Sequence, residues 1–381
     1  QPSEPQDLAA ELVIAAKLAC RYAFRDCRCQ EEAMAAGGVA GGKARDIGQA
    51  IAPSVGHEDT LITEKPVQSI SSGMEGKEMA EDSDVEQHKL LLTVEQQIEH
   101  LKSKGLTFEL CSEEDAASYL SGHTYYFKLA AYRVLFDKRV GGLRDGQYAN
   151  LDFGHLKALA SLDRDLRYAL LPLTLDVEHA MRTKLVRIAT EREDEDGYSI
   201  ARDYIASLNH NERRRRESDV KSLEHDAYCG ALVARYGSRP EAMPIWVLME
   251  LFSFGSFASL YLFCADRWDD PAMRNEHYML RQAQFVRNAC AHSSNLINGF
   301  GAKNSAVESN ADVERALART GLSHRVRTAK MRNPRLKQIT TLMYLHSRII
   351  PEGSGRQRAN SNMTTLAVKM SEASTLFAGN D

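Results

Sequence analysis

The chain has 381 residues, of which 43% are hydrophobic and 26% charged, and its formal net charge at pH 7 is −4. These proportions are ordinary for a globular protein, and the chain is long enough to bury a core without disulfides or a structural metal. No apolar run approaches the roughly 20 residues of a membrane-spanning helix, so we expect a cytoplasmic protein with no membrane contact. The seven cysteines show no CxxC pair and no zinc-ligand spacing. We therefore expect reduced thiols and neither a metal nor a cofactor.

The first 88 residues are rich in Ala, Gly and Glu, and they carry 16 acidic against 8 basic side chains. One helix is predicted there, near Leu8 to Phe24, and the rest has the composition of a disordered extension. From residue 89 onward the balance reverses to 40 basic against 36 acidic side chains. We therefore divide the chain into an extension at 1–88, a helical domain at 89–300 and a C-terminal stretch at 301–381.

Helix-capping signals open the second stretch. Thr93 with Gln96, and Ser112 with Asp115, have the spacing of an N-cap and a polar partner three residues later. Gly105 fits the position just after a helix, where glycine accommodates a left-handed backbone. Two short helices are therefore predicted at the start of this domain.

A long apolar stripe follows, with the spacing of one helix face. Its members are Leu162, Leu166, Leu170, Leu173, Val177, Ala180 and Ile188. Pro172 lies inside this segment and predicts a kink or a break near Tyr168. The C-terminal stretch predicts helices at Ala311 to Arg319 and Pro334 to Ile350, followed by a flexible Gly/Ser/Asn-rich tail. The predicted fold class is all-α, with an up-and-down bundle at its centre.

A helical pattern with a predicted buried face extends from Leu280 to Asn298. Polar residues interrupt it in the segment Arg287-Asn288-Ala289-Cys290-Ala291-His292. An apolar stripe of Ala283, Val286, Cys290 and Ile297 predicts the buried face. Arg287, Asn288 and His292 then fall away from that face, at about 100° per residue. An arginine can hold a phosphate and a histidine titrates near neutral pH. Taken alone, the segment also fits an ordinary surface helix.

Four separated blocks, between roughly residues 90 and 300, resemble the abortive-infection (Abi) proteins of the AbiD/AbiF kind. DAASYLSGHTYYFKLAAYRVLF is similar to the family's "YL..I.YYRL.GY" stretch, and LASLDRDLRYALLPLTLDVEHAMRTKLV to "YxFDxxLRxLLxxxIExIExxLRTxI". PIWVLMELFSFGSFASLY is similar to "P.W...E..SFG..S..Y", and FVRNACAHSSNLIN to "VRNxCAHxxRLxN". The chain departs from this last pattern at Ser294 and Ile297 and retains Asn298.

The resemblance implies a HEPN-type endoribonuclease of an antiphage or toxin–antitoxin system. It implies an RNA substrate, a homodimer that brings two copies of the motif together, and an antitoxin of protein or RNA. Arg287, Asn288 and His292 are the expected catalytic residues, and they would cleave RNA without a metal through its 2′-hydroxyl. Glu178, Arg182 and Glu250 are expected as supporting residues, with Glu250 paired to Arg287. The alternative is a non-catalytic module of a defence system that binds RNA or protein.

Two basic runs are candidate phosphate contacts, because cations attract nucleic acid without regard to sequence. The predicted RNA-binding residues are Arg213, Arg214, Arg325, Arg327, Lys330, Arg332, Arg335 and Lys337. Both runs also fit ordinary solvated surfaces. The aromatic residues Tyr125, Tyr126, Trp246, Phe254 and Phe257 are predicted to pack in the interior rather than to stack on bases.

Overall fold

The computed structural model describes residues 91–301, 309–320 and 322–377. The predicted extension and the helix near Leu8 to Phe24 lie outside the described residues. The described ranges contain helices and no strand, which confirms the all-α fold class. Residues from Thr93 to the last described residue belong to one compact unit.

The α-helices follow one another along the chain with short connections. They are α1 (Val94–Ser103), α2 (Glu113–Gly122), α3 (Tyr126–Ala130), α4 (Phe153–Thr190), α5 (Ser199–Ser207), α6 (His210–Lys221), α7 (Gly230–Tyr236), α8 (Ile245–Leu251), α9 (Phe254–Arg267), α10 (Pro271–Ala291), α11 (Ala311–Arg319), α12 (His324–Met331), α13 (Pro334–Ile349) and α14 (Ser354–Ala373). Short 3-10 helices lie at Ala131–Leu135, Pro240–Ala242, Ile297–Gly301 and Ser374–Phe377.

The predicted capping residues begin and end the first helices. Thr93 and Gln96 form a reciprocal capping box at α1, and Gly105 follows that helix with a φ of 88°. The Ser112 side chain accepts a hydrogen bond from the Asp115 backbone N–H at the start of α2. These side chains satisfy backbone N–H groups that have no partner within the helix.

The helix α4 runs for 38 residues without a break, and the prediction of a break near Tyr168 is wrong. Pro172 removes one backbone N–H from the helical ladder. Its side chain lies on the exposed face of α4, where the Tyr168 carbonyl can be hydrated instead of being left unsatisfied. The buried residues Leu170, Leu173 and Val177 hold the opposite face in the core on both sides of the proline.

The long helix α4 is the centre of the bundle. It packs against α10, α13 and α14, and α10 packs in turn against α9 and α13. Several titratable groups are enclosed in this core, and His346 is one of them. His346 of α13 is fully buried, its Nε2 lies 3.2 Å from Asp176 Oδ2 on α4, and its Nδ1 has no hydrogen-bond partner in the described residues.

The C-terminal stretch contains more helix than the sequence indicated. Helices α11 and α13 lie where they were predicted. The predicted flexible tail is wrong for residues 354–373, which form α14 and pack on α4. Its residues Ala359, Met363, Leu366 and Met370 are buried at helical spacing, and this apolar stripe outweighs the weak helix propensity of Gly, Ser and Asn.

Candidate functional site

The helix α10 carries the predicted catalytic residues near its C-terminal end. Ala283, Val286 and Cys290 are buried, as their spacing predicted. The helix stops at Ala291, so the predicted extension to Asn298 is wrong. His292 is the C-cap, and its backbone N–H donates to the Asn288 carbonyl at 3.0 Å.

The turn after His292 reverses the chain direction. Ser293 has a φ of 52°, and the Ser294 backbone N–H donates to the Ala289 carbonyl at 2.8 Å. This left-handed residue and its hydrogen bond close the last turn of α10 in the manner of a helix C-terminus. The His292 side chain is exposed at this corner. Within the described ranges it has no side-chain hydrogen bond or ion pair.

Arg287 lies deeper than His292, between α10 and α4. Its side chain is half-buried, and its Nη1 donates to Asn288 Oδ1 at 3.1 Å. Its Nε lies 3.9 Å from Glu178 Oε2 on α4. Arg287 and Asn288 are therefore in contact, and His292 lies one turn farther along.

Glu178 and Arg182 form a second layer behind Arg287. Arg182 Nη2 donates to Glu178 Oε1 at 2.5 Å and to the Phe252 carbonyl at 2.8 Å, and Nη1 donates to the Met249 carbonyl. These carbonyls lie at the C-terminal end of α8, where backbone carbonyls have no N–H partner within the helix. The negative end of the helix dipole there also attracts a cation. Arg182 is thus fixed by the chain, whereas Arg287 keeps donors free for a ligand. We call Glu178, Arg182 and Arg287 the Arg287 cluster.

The Arg287 cluster brings together three segments that are far apart in the sequence. Glu178 and Arg182 come from the LDVEHAMRT segment, the accepting carbonyls from the segment before SFG, and Arg287 from RNACAH. Gly255 of SFG faces α10, because a Cβ there would lie 2.6 Å from Nε2 at the end of the flexible Gln284 side chain. The segments singled out by sequence therefore meet at one place.

Glu250 does not pair with Arg287 as predicted. Its side chain is exposed, and its Oε2 accepts a hydrogen bond from the Tyr228 hydroxyl at 3.4 Å. The carboxylate beside Arg287 is Glu178 instead. The helix α8 is only seven residues long and turns its buried face toward the core, which leaves Glu250 on the outside.

A buried aspartate that the sequence analysis missed holds the segment after His292. Asp163 of α4 is fully buried, and its Oδ1 accepts the backbone N–H groups of Leu296 and Ile297 at 3.0 and 2.9 Å. Its Oδ2 accepts the Tyr132 hydroxyl at 2.9 Å and pairs with Arg167. Burial raises the pKa of Asp163, and Arg167 opposes that shift.

Arg167 and Asn298 complete this attachment. Arg167 Nη1 donates to the Ser294 carbonyl at 3.2 Å, and Asn298 Nδ2 donates to the Ala131 carbonyl at 2.8 Å. The signal for Asp163 was present in the sequence. It lies among buried Leu159, Leu166 and Leu170 at helical spacing, where a charged residue needs partners.

The two basic runs separate into buried and exposed cations. Arg213 caps α5 by donating to the Ile205 and Ala206 carbonyls, each at 3.2 Å, and Arg214 is exposed. In the second run Lys337 is only 4% exposed, and burial lowers its pKa. Lys337 is therefore not a surface phosphate contact, contrary to prediction.

Other members of the second run also differ in exposure. Arg327 donates to the Leu322 carbonyl, and Arg335 is half-buried with its pKa lowered by burial. Arg325 and Arg332 are exposed, and Lys330 is half-buried. The run therefore offers fewer surface cations than the sequence suggested.

The aromatic predictions are correct for part of the set. Phe254 and Phe257 are buried, but Trp246 and Tyr125 are exposed, and Tyr126 is half-buried. Among the described residues, no helix is long and apolar enough to cross a membrane. The same ranges contain no cluster of His, Cys, Asp or Glu suited to a metal ion.

Comparison with known proteins gives one family. Residues 118–298 match the family model described as Abi-like protein. No curated protein and no solved structure matches the chain. The matched range contains Asp163, the Arg287 cluster and His292, together with the segments that hold them. Through residues 118–298, the chain belongs to the Abi-like protein family.

Proposed function

We propose that this Abi-like protein acts in abortive-infection defence as a HEPN-type endoribonuclease. The observation that carries the proposal is the arrangement at the end of α10, where a half-buried Arg287 keeps donors free and His292 is exposed one turn beyond. Cleavage at the RNA 2′-hydroxyl needs a proton acceptor, a proton donor and a cation at the phosphate. His292 and Arg287 have the chemistry for these roles, and Asn288 would orient Arg287 or the phosphate.

In this mechanism His292 removes the 2′-hydroxyl proton, and the 2′-oxygen attacks the adjacent phosphorus. Arg287 stabilises the charge that develops on the nonbridging oxygens. The 5′-oxygen leaves with a proton that the protonated His292 of the second copy donates, so the products are a 2′,3′-cyclic phosphate and a 5′-hydroxyl end. The attacking oxygen belongs to the substrate, and no step needs a metal. Glu178 orients Arg287, and its charge is already shared with Arg182.

A homodimer forms part of the proposal, because one chain supplies one copy of His292. Support comes from the outer face of α10, where Tyr278 and Phe285 are 65% and 44% exposed. The side chains on this face recur every seven residues, at Tyr278, Phe285 and His292. A seven-residue repeat is the spacing at which two helices pack along each other in a coiled coil. A two-fold axis near the end of α10 would place both His292 side chains at one cleft. Such an enzyme acts on cytoplasmic RNA and needs an antitoxin of protein or RNA as restraint.

Labelled RNA incubated with the full chain in EDTA tests the nuclease proposal. We expect cutting by the wild type and a loss of about 10²- to 10⁴-fold in rate for His292→Ala and Arg287→Ala. His225→Ala is the matched control, because this histidine is also exposed and should leave the rate unchanged. Glu178→Gln should cost about fivefold, equivalent to about 1 kcal/mol for a partly screened ion pair.

Three outcomes would contradict parts of the proposal. Binding of RNA without cutting by the wild type would favour the non-catalytic module. Loss of cutting in EDTA would refute the metal-independent step and leave the nuclease in place. Sedimentation of a fully active monomer would refute the composite site between two copies.

A further inference from the structure

The segment around α3 exposes large apolar side chains that the core does not use. Phe127 is 77% exposed, Val134 is 71% exposed and Tyr125 is 58% exposed. They lie within ten residues of one another, whereas apolar side chains on a soluble surface are usually scattered singly. Leu129 and Tyr132 of the same segment are buried and anchor it to the bundle. The segment is therefore anchored by buried residues and also presents apolar side chains to solvent.

Cations of the same region lie over aromatic rings. The distances from the charged centre to the ring centroid are 5.5 Å for Lys128 over Tyr125, 5.7 and 5.9 Å for Arg133 over Tyr126 and Tyr148, and 5.4 Å for Lys138 over Tyr148. Within the described ranges, no ion pair joins Lys128, Arg133 or Lys138 to a carboxylate. Lys128 and Lys138 therefore keep their charge available for an anionic partner. Arg133 donates through Nε to the Ala130 carbonyl at 3.0 Å and through Nη1 to the Tyr126 hydroxyl at 3.3 Å, and its charge is not neutralised by a carboxylate.

This region is attached directly to the chain that follows His292. Asn298 Nδ2 donates to the Ala131 carbonyl at 2.8 Å. Asp163 binds the Tyr132 hydroxyl with one oxygen and the Leu296 and Ile297 backbone N–H groups with the other. Asn298 is six positions after His292, which limits the distance between their Cα atoms to about 20 Å. The segment that carries the exposed aromatic and basic side chains is thus anchored to the chain that follows His292.

We propose that the surface formed by Tyr125, Phe127, Lys128, Arg133, Val134 and Lys138, the aromatic platform, binds single-stranded RNA next to the cleavage site. Exposed rings stack on unpaired bases, and neighbouring cations meet the phosphates. A duplex offers no base faces for stacking, because its bases are paired and enclosed. The aromatic platform would therefore favour single-stranded over double-stranded RNA as substrate. This inference rests on the proposed nuclease function, which identifies the adjacent site.

Equilibrium binding of a fluorescent, unstructured RNA to the full chain tests the platform. The His292→Ala background prevents cutting during the measurement. We expect Phe127→Ala to weaken binding by about fivefold to a hundredfold, because one stacked base is lost. Lys138→Gln should lower the slope of log affinity against log salt by about 1, which is the signature of one lost phosphate contact. Phe127 and Lys138 are exposed, so neither change removes core packing.

Two variants outside the platform serve as controls. Tyr228→Ala removes an aromatic side chain that is 70% exposed. Arg235→Gln removes an exposed cation of α7 that lies 5.4 Å from the Tyr236 ring centroid. Both should bind RNA as the parent does. Equal weakening by these controls would place the RNA surface elsewhere and overturn the platform.

The remaining outcomes separate the platform from the nuclease. If the wild type binds RNA through Phe127 and cuts none, the nuclease proposal fails and the platform stands. If RNA is cut and Phe127→Ala changes neither affinity nor rate, the platform is overturned and the nuclease stands. Equal affinity for duplex RNA, an absence of RNA binding, or a change only in self-association for Phe127→Ala would also overturn the platform.

Discussion

The carboxylate of Asp163 should contribute more to stability than any surface charge on α4, and Asp163→Asn tests this directly. Asparagine keeps the size of the side chain and one acceptor for the Leu296 and Ile297 backbone N–H groups, which lie at 3.0 and 2.9 Å. It removes the charge that Arg167 pairs with, in a site where Asp163 is fully buried. Breaking one side of a buried ion pair costs about 3 kcal/mol. We therefore expect the unfolding free energy to fall by about that amount.

A matched control lies two residues away on the same helix. Asp165 pairs with Lys369 at 2.9 Å in a partly exposed position, so Asp165→Asn should cost at most about 1 kcal/mol. Urea denaturation followed by circular dichroism gives both unfolding free energies. Equal transition midpoints for the two variants would refute the reasoning, because burial of Asp163 would then carry no energetic weight.

Three further changes test other features of the fold by the same unfolding measurement. Pro172→Ala should raise the unfolding free energy by about 1–3 kcal/mol, since it restores a backbone donor inside a continuous helix, and a loss would show that the proline is needed. Gly197→Ala should lower the unfolding free energy by about 1–3 kcal/mol, because Gly197 has a φ of 78° and a Cβ there would lie 2.7 Å from the Trp246 ring. An unchanged unfolding midpoint would contradict this expectation. Burial lowers the pKa of His346 in the folded chain below its ordinary 6.5. The unfolded chain therefore takes up a proton on this imidazole more readily than the folded chain does. The contribution of neutral His346 to stability is complete above pH 6.5 and is lost as the pH falls from 6.5 through the lower pKa of the folded chain. His346→Gln should therefore flatten the decline in stability between pH 7 and 5, whereas His225→Gln at an exposed position should not.

The sequence indicated those parts of the fold that depend on local pattern. The capping box at Thr93 and the helix Ala311–Arg319 follow from residues a few positions apart. Helix α14 was missed because its composition was given more weight than its apolar spacing. The continuity of α4 through Pro172 was missed because it depends on packing around the whole helix, which local propensity does not contain.

The candidate site was predictable in its residues and not in its contacts. Arg287, Asn288 and His292 were identified from type and spacing, and their catalytic roles remain predictions. The pairing of Arg287 with Glu178 rather than Glu250 depends on how α4, α8 and α10 pack. The left-handed backbone at Ser293 ends α10 early, and a serine gives little warning of that conformation.

The construction of the Arg287 cluster has a consequence for the order in which the candidate site forms during folding. Glu178, the carbonyls that hold Arg182, and Arg287 come from three segments separated by long stretches of chain. Contacts between such distant segments form late, because the entropy of closing the intervening loops opposes them. A partly synthesised or partly folded chain therefore has no oriented Arg287. The Arg287 guanidinium is therefore held in place only once these three segments have packed together.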